Sequence, residues 1–147
     1  MLITREAEIL LVDDNLGDII LTKDALKGAQ FPSRVSVASD GVEAMEFLRR
    51  QGRFADAPRP DLILLDLNMP RKNGAEVLAE MKADMDLRLI PVVILTSSEA
   101  EDDVANAYHS HANCYVTKPA DLDDLMTTVQ AINHFWFSVV RRPPHPH

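Results

Sequence analysis

Five polar residues that directly follow short apolar runs are of the types that bind a metal ion and carry a phosphoryl group. Three carboxylates in one pocket repel one another, and a divalent cation relieves that repulsion; hard oxygen ligands with room for water favour Mg²⁺. A carboxylate beside the metal can attack an electrophilic phosphorus and form an aspartyl phosphate. An ammonium group and a hydroxyl can stabilise the transferred group. The five residues are Asp13, Asp14, Asp66, Thr96 and Lys118.

The apolar runs before these residues have the length of buried β-strands. They span residues 9–12, 62–65, 92–95 and 114–117, and the alternating segment 35–38 is typical of an edge strand. Runs of this kind indicate a parallel sheet covered on both faces, whose ligand sites lie beyond the carboxyl ends of the strands. The three carboxylates meet there if the runs 9–12 and 62–65 are neighbouring strands.

Segments with helical spacing of apolar residues separate the strands, so strand and helix signals alternate along the chain. Such alternation requires right-handed crossovers and predicts an α/β fold, a doubly wound five-stranded parallel sheet with helices on both faces. The apolar residues that mark the five helices are Leu16, Ile19, Ile20 and Leu26; Val42, Met45 and Leu48; Val77, Leu78, Met81 and Met85; Val104, Ala107 and Tyr108; and Leu122, Leu125, Met126, Val129 and Ile132.

Composition excludes several classes of protein. A chain of 147 residues fits one domain. The net charge of -8, with no basic stripe, disfavours nucleic-acid binding. No apolar stretch approaches the roughly 18 to 20 residues of a membrane span, and the first residues lack a signal-peptide core, so we expect a cytoplasmic protein without membrane contact. Cys114 is the only cysteine, which excludes an intrachain disulfide and a cysteine-based zinc cluster.

The last predicted helix is apolar beyond a normal amphipathic face. Trp136 and Val139 continue its apolar stripe, whereas Phe135 and Phe137 lie off it. A second molecule could cover this excess apolar surface; the alternative is that the aromatic residues fold back on their own domain.

The order and spacing of these residues resemble the receiver domains of two-component response regulators. The resemblance implies a receiver domain over residues 1–133 with a flavodoxin-like (CheY-like) (βα)5 fold and strand order 2-1-3-4-5. Residues 134–147 are then a C-terminal extension, a helix continuation with a Pro-rich tail. The match runs from Glu8 to Asn133 and rests on Asp13-Asp14, Asp66 with Pro70 and Gly74, Thr96, and Tyr115 with Lys118-Pro119.

The same resemblance implies a role for each site residue. Asp66 is the phosphoacceptor, and Lys118 and Thr96 complete the catalytic set. Thr96 and Tyr115 form the switch pair, and the Lys118–Pro119 peptide bond is cis. The cofactor is Mg²⁺, with Mn²⁺ or Ca²⁺ as substitutes, and its ligands are Asp13, Asp14, Asp66 and the carbonyl of Asn68.

A narrower resemblance is to the single-domain response regulators associated with bacterial and cyanobacterial phytochromes. It rests on the Pro-containing loop 54–60, the segment 68–74 and the tail 135–141. It implies a sensor histidine kinase, a bacteriophytochrome, as the phosphodonor. It also implies a homodimer whose interface includes Phe135, Trp136 and Phe137.

Simpler interpretations exist for each residue taken singly. An Asp after a strand is often a helix cap or a turn residue. Thr96 with Glu99 three residues later fits a capping box. Lys118 alone would be a solvated surface charge, and Tyr115 could be simple core. One departure from the family pattern is His111, which stands where receivers usually have a glycine in a left-handed conformation.

Two alternatives from other classes stay open. A phosphatase of the haloacid dehalogenase type uses the same kinds of residue, but its nucleophile lies in an early Asp-x-Asp motif and its acidic pair comes late. Here the pair comes first, and Asp66-Leu67-Asn68 lacks the second Asp. The other alternative is a degenerate receiver that acts only as a scaffold, although no member of the phosphorylation set is missing.

Overall fold

The computed structural model describes residues 6–139, and in it five parallel strands form one sheet in the order β2-β1-β3-β4-β5. The predicted fold class and strand order are therefore confirmed. The Pro-rich part of the tail, predicted within 140–147, lies outside the described residues. The elements are β1 (Ala7–Val12), α1 (Leu16–Lys27), β2 (Ser33–Ala38), α2 (Gly41–Leu48), β3 (Leu62–Leu65), α3 (Gly74–Ala83), β4 (Val92–Thr96), α4 (Glu101–His109), β5 (Cys114–Thr117) and α5 (Leu122–His134).

Polar side chains determine where most of the helices begin. Asn73 and Glu76 form a reciprocal capping box at the start of α3. Helix α4 differs, because its N-cap is Ala100, whose side chain accepts no hydrogen bond. The capping-box interpretation of Thr96 is wrong, since this residue ends β4 and lies before the first turn of α4. The side chains that accept the N-terminal N–H groups of the other helices are Asn15, Asp40 and Asp121.

The sheet is covered on both faces, as its continuous apolar strands predict. Alternate strand residues face opposite sides, so Leu10 and Val12 pack beneath α2, α3 and α4, whereas Ile9 and Leu11 pack beneath α1 and α5. All of β3 and β4 is buried. This arrangement fixes the carboxyl ends of four neighbouring strands at one edge of the sheet.

Helix α1 forms where its apolar spacing predicts, but its inner face differs from the predicted stripe. Leu16 is 70% exposed and Ile20 is 52% exposed. The buried residues of α1 are Thr22, Ala25 and Leu26. Leu16 and Leu26 are ten residues apart, which places them roughly 80° apart around a helix with 3.6 residues per turn. The sheet therefore covers only the C-terminal part of the stripe.

Helix α5 continues into a π-helical turn, Phe135–Val139, that separates the aromatic residues of the extension. Trp136 is 8% exposed and packs into the core between the sheet, α1 and α5, and Phe137 is partly buried against the same cluster. Phe135 is 52% exposed. Trp136 therefore packs on its own domain, and Phe135 is the most exposed of the three aromatic residues.

No helix within residues 6–139 combines the length and the apolarity needed to cross a lipid bilayer.

A buried amide joins the end of α5 to the loop between α1 and β2. The Asn133 side chain is fully buried; its Nδ2 donates to the Phe31 carbonyl at 3.0 Å, and its Oδ1 accepts from the Phe31 N–H at 3.1 Å. The two bonds satisfy both backbone groups of Phe31, as a neighbouring strand would do. His134 Nδ1 adds a contact of 2.9 Å to Gln30 Oε1.

We expect Asn133→Ala to lower the free energy of unfolding by about 2 to 3 kcal/mol, because it leaves both backbone groups of Phe31 without partners. Urea denaturation followed by circular dichroism measures the change. Asn106→Ala, the same substitution at an exposed position on α4, is the matched control and should not lower stability by more than about 0.5 kcal/mol. Equal stabilities of the two variants would contradict the role of Asn133.

Candidate functional site

The carboxyl ends of β1 and β3 bring three carboxylates together. One oxygen from each of Asp13, Asp14 and Asp66 lies within 4.8 Å of the others. Asp13 and Asp66 are buried, whereas Asp14 is exposed. Three oxygen donors that face solvent on one side suit a hard divalent cation that retains water and accepts a phosphate oxygen. The residues therefore fit the predicted metal.

Asp66 accepts hydrogen bonds from three sides. Its Oδ1 accepts from Thr96 Oγ1 at 2.7 Å and from the Asn68 N–H at 3.3 Å, and its Oδ2 accepts from Lys118 Nζ at 3.3 Å. Thr96 is fully buried, so its hydroxyl is held beside the carboxylate rather than in water. The structure thus brings the predicted nucleophile, hydroxyl and ammonium into contact.

The ammonium group of Lys118 is buried among carboxylates. Its Nζ donates to Asp13 Oδ2 at 2.6 Å and to Asp18 Oδ2 at 2.9 Å, in addition to Asp66, and its side chain is 6% exposed. The Lys118 N–H also donates to the Thr96 carbonyl at 2.7 Å, which fixes where the lysine leaves β5. Lys118 is therefore part of the site and not a solvated surface charge.

Asp18 is a site residue that the sequence analysis missed. It lies in the first turn of α1, and its backbone N–H donates to the side chain of the N-cap residue Asn15. The available signal was weak: Asp18 is an acidic residue in the first turn of the helix that follows the acidic pair, where acidic residues are common because they favour the helix N-terminus.

Lys118 and the three carboxylates bonded to it carry more negative than positive charge, and the pKa values of Asp13 and Lys118 are shifted. Burial raises the pKa of Asp13, although hydrogen bonding to Lys118 opposes this effect. Burial alone would lower the pKa of Lys118, but the hydrogen bonds to Asp13 and Asp18 and the charge of Asp66 outweigh it and raise the pKa far above the ordinary lysine value. Three carboxylates share one ammonium group. The charged form of Lys118 is therefore strongly stabilised, whereas the negative charge of Asp13 is only partly compensated.

The predicted switch aromatic is hydrogen-bonded to the loop that follows Thr96 and to α4. The Tyr115 hydroxyl donates to the Ser98 carbonyl at 2.9 Å, and the Tyr115 N–H donates to the Tyr108 hydroxyl at 3.1 Å. Its ring is partly buried and packs against the core below α4. Tyr115 thus joins β5 to the loop that follows Thr96.

Glycine is required where the loop after β3 passes close to the site. A Cβ atom at position 74 would lie 2.2 Å from the Asp66 carbonyl oxygen, so Gly74 allows α3 to begin directly beside the candidate nucleophile. The Gly74 N–H donates to the Leu67 carbonyl at 3.0 Å, which closes the loop. Asn68 lies exposed within it.

The same loop is anchored to α2. Arg71 has a left-handed backbone conformation, with φ of 64°, and its Nε donates to Asp40 Oδ2 at 2.7 Å. Burial alone would raise the pKa of Asp40, but the Glu43 N–H and the Arg71 guanidinium lower it below its usual value. The Gly41 N–H donates to the Lys72 carbonyl at 2.9 Å. These contacts tie the loop to the start of α2.

Two further expectations can be compared with the backbone. His111 has φ of 69°, as its place in a glycine position predicts. The expectation of a cis Lys118–Pro119 bond is wrong, because none of the described residues forms a cis peptide bond. The trans isomer is the intrinsically favoured one for a bond before proline, by about 0.5 to 1 kcal/mol.

The sequence matches a family model described as the response regulator receiver domain, over residues 9–130. Response regulator Rcp1 of Synechocystis sp. is 49% identical over 135 residues, which cover 92% of this chain and 92% of that protein.

Solved structures agree with this match. The phosphorylated cyanobacterial phytochrome response regulator RcpA superposes with a TM-score of 0.92 at 48% identity, covering 95% of this chain and 100% of that one. The Mn²⁺-bound form of Rcp1 gives a TM-score of 0.89 at 48% identity, covering 94% and 99%. The similarity therefore extends over nearly the whole of each chain.

We expect Lys118→Met to bind Mg²⁺ and Mn²⁺ at least about threefold more tightly, because the Lys118 ammonium competes with a cation for oxygens of Asp13 and Asp66. Methionine preserves the buried aliphatic packing. Isothermal titration calorimetry measures the dissociation constant, and Lys23→Met, at an exposed position on α1, controls for the change in net charge. Unchanged or weaker binding would show that the ammonium and the metal do not compete.

Proposed function

The chain belongs to the response regulator receiver family, and from this membership we propose that Asp66 accepts a phosphoryl group from a sensor histidine kinase. The observation that carries the proposal is the position of Asp66, which shares a pocket with two further carboxylates and is hydrogen-bonded to Thr96 and Lys118. The family match contradicts the haloacid dehalogenase alternative. The complete set of site residues favours an active receiver over a scaffold.

In the proposed reaction a carboxylate oxygen of Asp66 attacks the phosphorus of a phosphohistidine. An O–P bond forms as the N–P bond breaks, and the imidazole nitrogen leaves with the bonding electron pair and takes up a proton. Lys118 stabilises the negative charge of the transferred group, and Thr96 donates a hydrogen bond to it. The protein is then a phosphoacceptor that promotes its own phosphorylation and dephosphorylation, rather than an enzyme with a separate substrate.

We assign the metal role to Mg²⁺, held by Asp13, Asp14, Asp66 and the carbonyl of Asn68. When bound, it would neutralise negative charge on the carboxylates and on the phosphoryl oxygens. The grouping of the three carboxylate oxygens supports this assignment. The Mn²⁺-bound form of Rcp1 also supports binding of a divalent cation.

The similarity to Rcp1 and RcpA supports a phytochrome-type histidine kinase as the phosphodonor. We place this exchange in the cytoplasm. Residues 1–133 form the receiver domain in this proposal, with 134–147 as its extension. Phosphorylation redirects the Thr96 hydroxyl towards the phosphoryl group, and Tyr115 follows, so the surface of α4, β5 and α5 carries the output. No nucleic acid takes part.

We also propose that the protein forms a homodimer through the extension. Because Trp136 is buried in its own domain, the contact falls chiefly on Phe135, with Phe137 at its edge. A symmetric interface would use Phe135 from both copies, so each substitution removes two contacts.

Incubation with acetyl phosphate and Mg²⁺ should add one phosphoryl group to the protein, and Asp66→Asn should abolish this addition because the amide is not a nucleophile. Intact-mass spectrometry measures the gain. Asp56→Asn, at an exposed position, is the matched control and should be labelled as the wild type is. Chelation of the metal should also prevent labelling. An Asp66→Asn variant that still gains the phosphoryl group would refute the assignment.

Phe135→Ser should raise the dimer dissociation constant by at least about tenfold, since each protomer loses a buried phenyl ring. Sedimentation equilibrium in the micromolar range measures the constant. Met85→Ser, which changes an exposed apolar residue beyond the end of α3, should leave it unchanged. A monomeric wild type, or a dimer that Phe135→Ser does not weaken, counts against the proposed interface.

A further inference from the structure

We propose that Asp18 is a positioning residue that holds Lys118 in place for phosphoryl transfer at Asp66, an inference that rests on the proposed function. The Asp18 carboxylate accepts a hydrogen bond from Lys118 Nζ at 2.9 Å and lies on a different element, the first turn of α1. It does not contact Asp66. Its effect on the reaction therefore passes through the lysine.

Asp18 differs from the other two carboxylates that hold Lys118. Asp13 and Asp66 belong to the group of acidic residues whose oxygens converge closely enough to hold a metal ion, and Asp18 does not. A divalent cation at that group would compete with Lys118 Nζ for the carboxylates of Asp13 and Asp66. Asp18 is then the acceptor that stays available to the ammonium.

A closed ring of hydrogen bonds fixes the Asp18 carboxylate relative to the site. Asp13 Oδ1 accepts from the Asn15 N–H at 2.9 Å, and Asn15 Oδ1 accepts from the Asp18 N–H at 3.0 Å. Lys118 Nζ then closes the ring by donating to both Asp18 and Asp13. Lysine is a flexible side chain that loses rotamer freedom when it is held in one place. Because the ring already holds Lys118 in one conformation, this freedom is lost before the phosphodonor binds.

The ion pair between Asp18 and Lys118 lies beside an open cleft. The volume of this cleft is about 470 Å³, and it is also lined by residues at or after the ends of β4 and β5: Ser97, Glu99, Thr117, Pro119 and Ala120. An ammonium that swung into this cleft would be lost to Asp66. The bond to Asp18 keeps Lys118 beside the carboxylate that reacts.

The test measures the rate constant of phosphorylation by acetyl phosphate at saturating Mg²⁺. Asp18→Ala should lower it about tenfold, because a misplaced catalytic group loses much of its effect. Asp18→Asn keeps an acceptor oxygen and should lower it less. Asp24→Asn makes the same charge change on an exposed part of α1, about 9 Å further along the helix, and should react at the wild-type rate.

A second arm separates positioning from a structural role. In a Lys118→Met background, Asp18→Ala should lower the rate constant by less than about twofold, because residues that act through one another are not additive. An equal loss in both backgrounds would overturn the inference, and so would a loss explained by a lower melting temperature in Asp18→Asn. A wild type that is not phosphorylated overturns the proposed function as well. A wild type that is phosphorylated at the same rate as Asp18→Ala overturns this inference alone.

Discussion

The arrangement of the site depends on one buried ammonium group that serves three carboxylates. Lys118 Nζ donates to Asp13, Asp18 and Asp66, and its side chain is almost completely buried. Carboxylates this close together repel one another, and the ammonium group partly compensates their charge. Because one positive charge does not balance three negative ones, the pocket is left with net negative charge. The negative charge that Lys118 leaves uncompensated therefore attracts a divalent cation to the pocket.

The backbone of the fold keeps these mutually repelling carboxylates close together. Parallel strands place Asp13, Asp66 and Lys118 at one sheet edge, where apolar packing on both faces leaves the strand ends little freedom. The loop after β3 is held from both sides, by the close approach at Gly74 and by the pairing of Arg71 with Asp40. The left-handed conformation of Arg71 is a local cost that these surrounding contacts offset.

The sequence predicts the sheet and most of the site because both depend on local patterns. Each apolar run and the polar residue after it can be recognised singly, and topology then brings the strand ends together. Asp18 and Asn133 escape such reasoning, since their roles depend on elements distant in sequence: a lysine 100 residues away and a loop 102 residues away. The apolar spacing also places Leu16 on the buried stripe of α1, but the sheet does not extend to this residue.

A contiguous set of contacts leads from Asp66 to α4. The Thr96 hydroxyl has one proton to donate, and it donates that proton to Asp66 Oδ1. In the proposed function a phosphoryl oxygen takes this bond, which would draw Thr96, and with it the start of the following loop, towards the pocket. Two residues on, the Ser98 carbonyl accepts from Tyr115 and the Ser98 hydroxyl donates to Asp103 in the first turn of α4. Movement of Thr96 therefore acts on Tyr115 and α4 together, because both are bonded to the same serine.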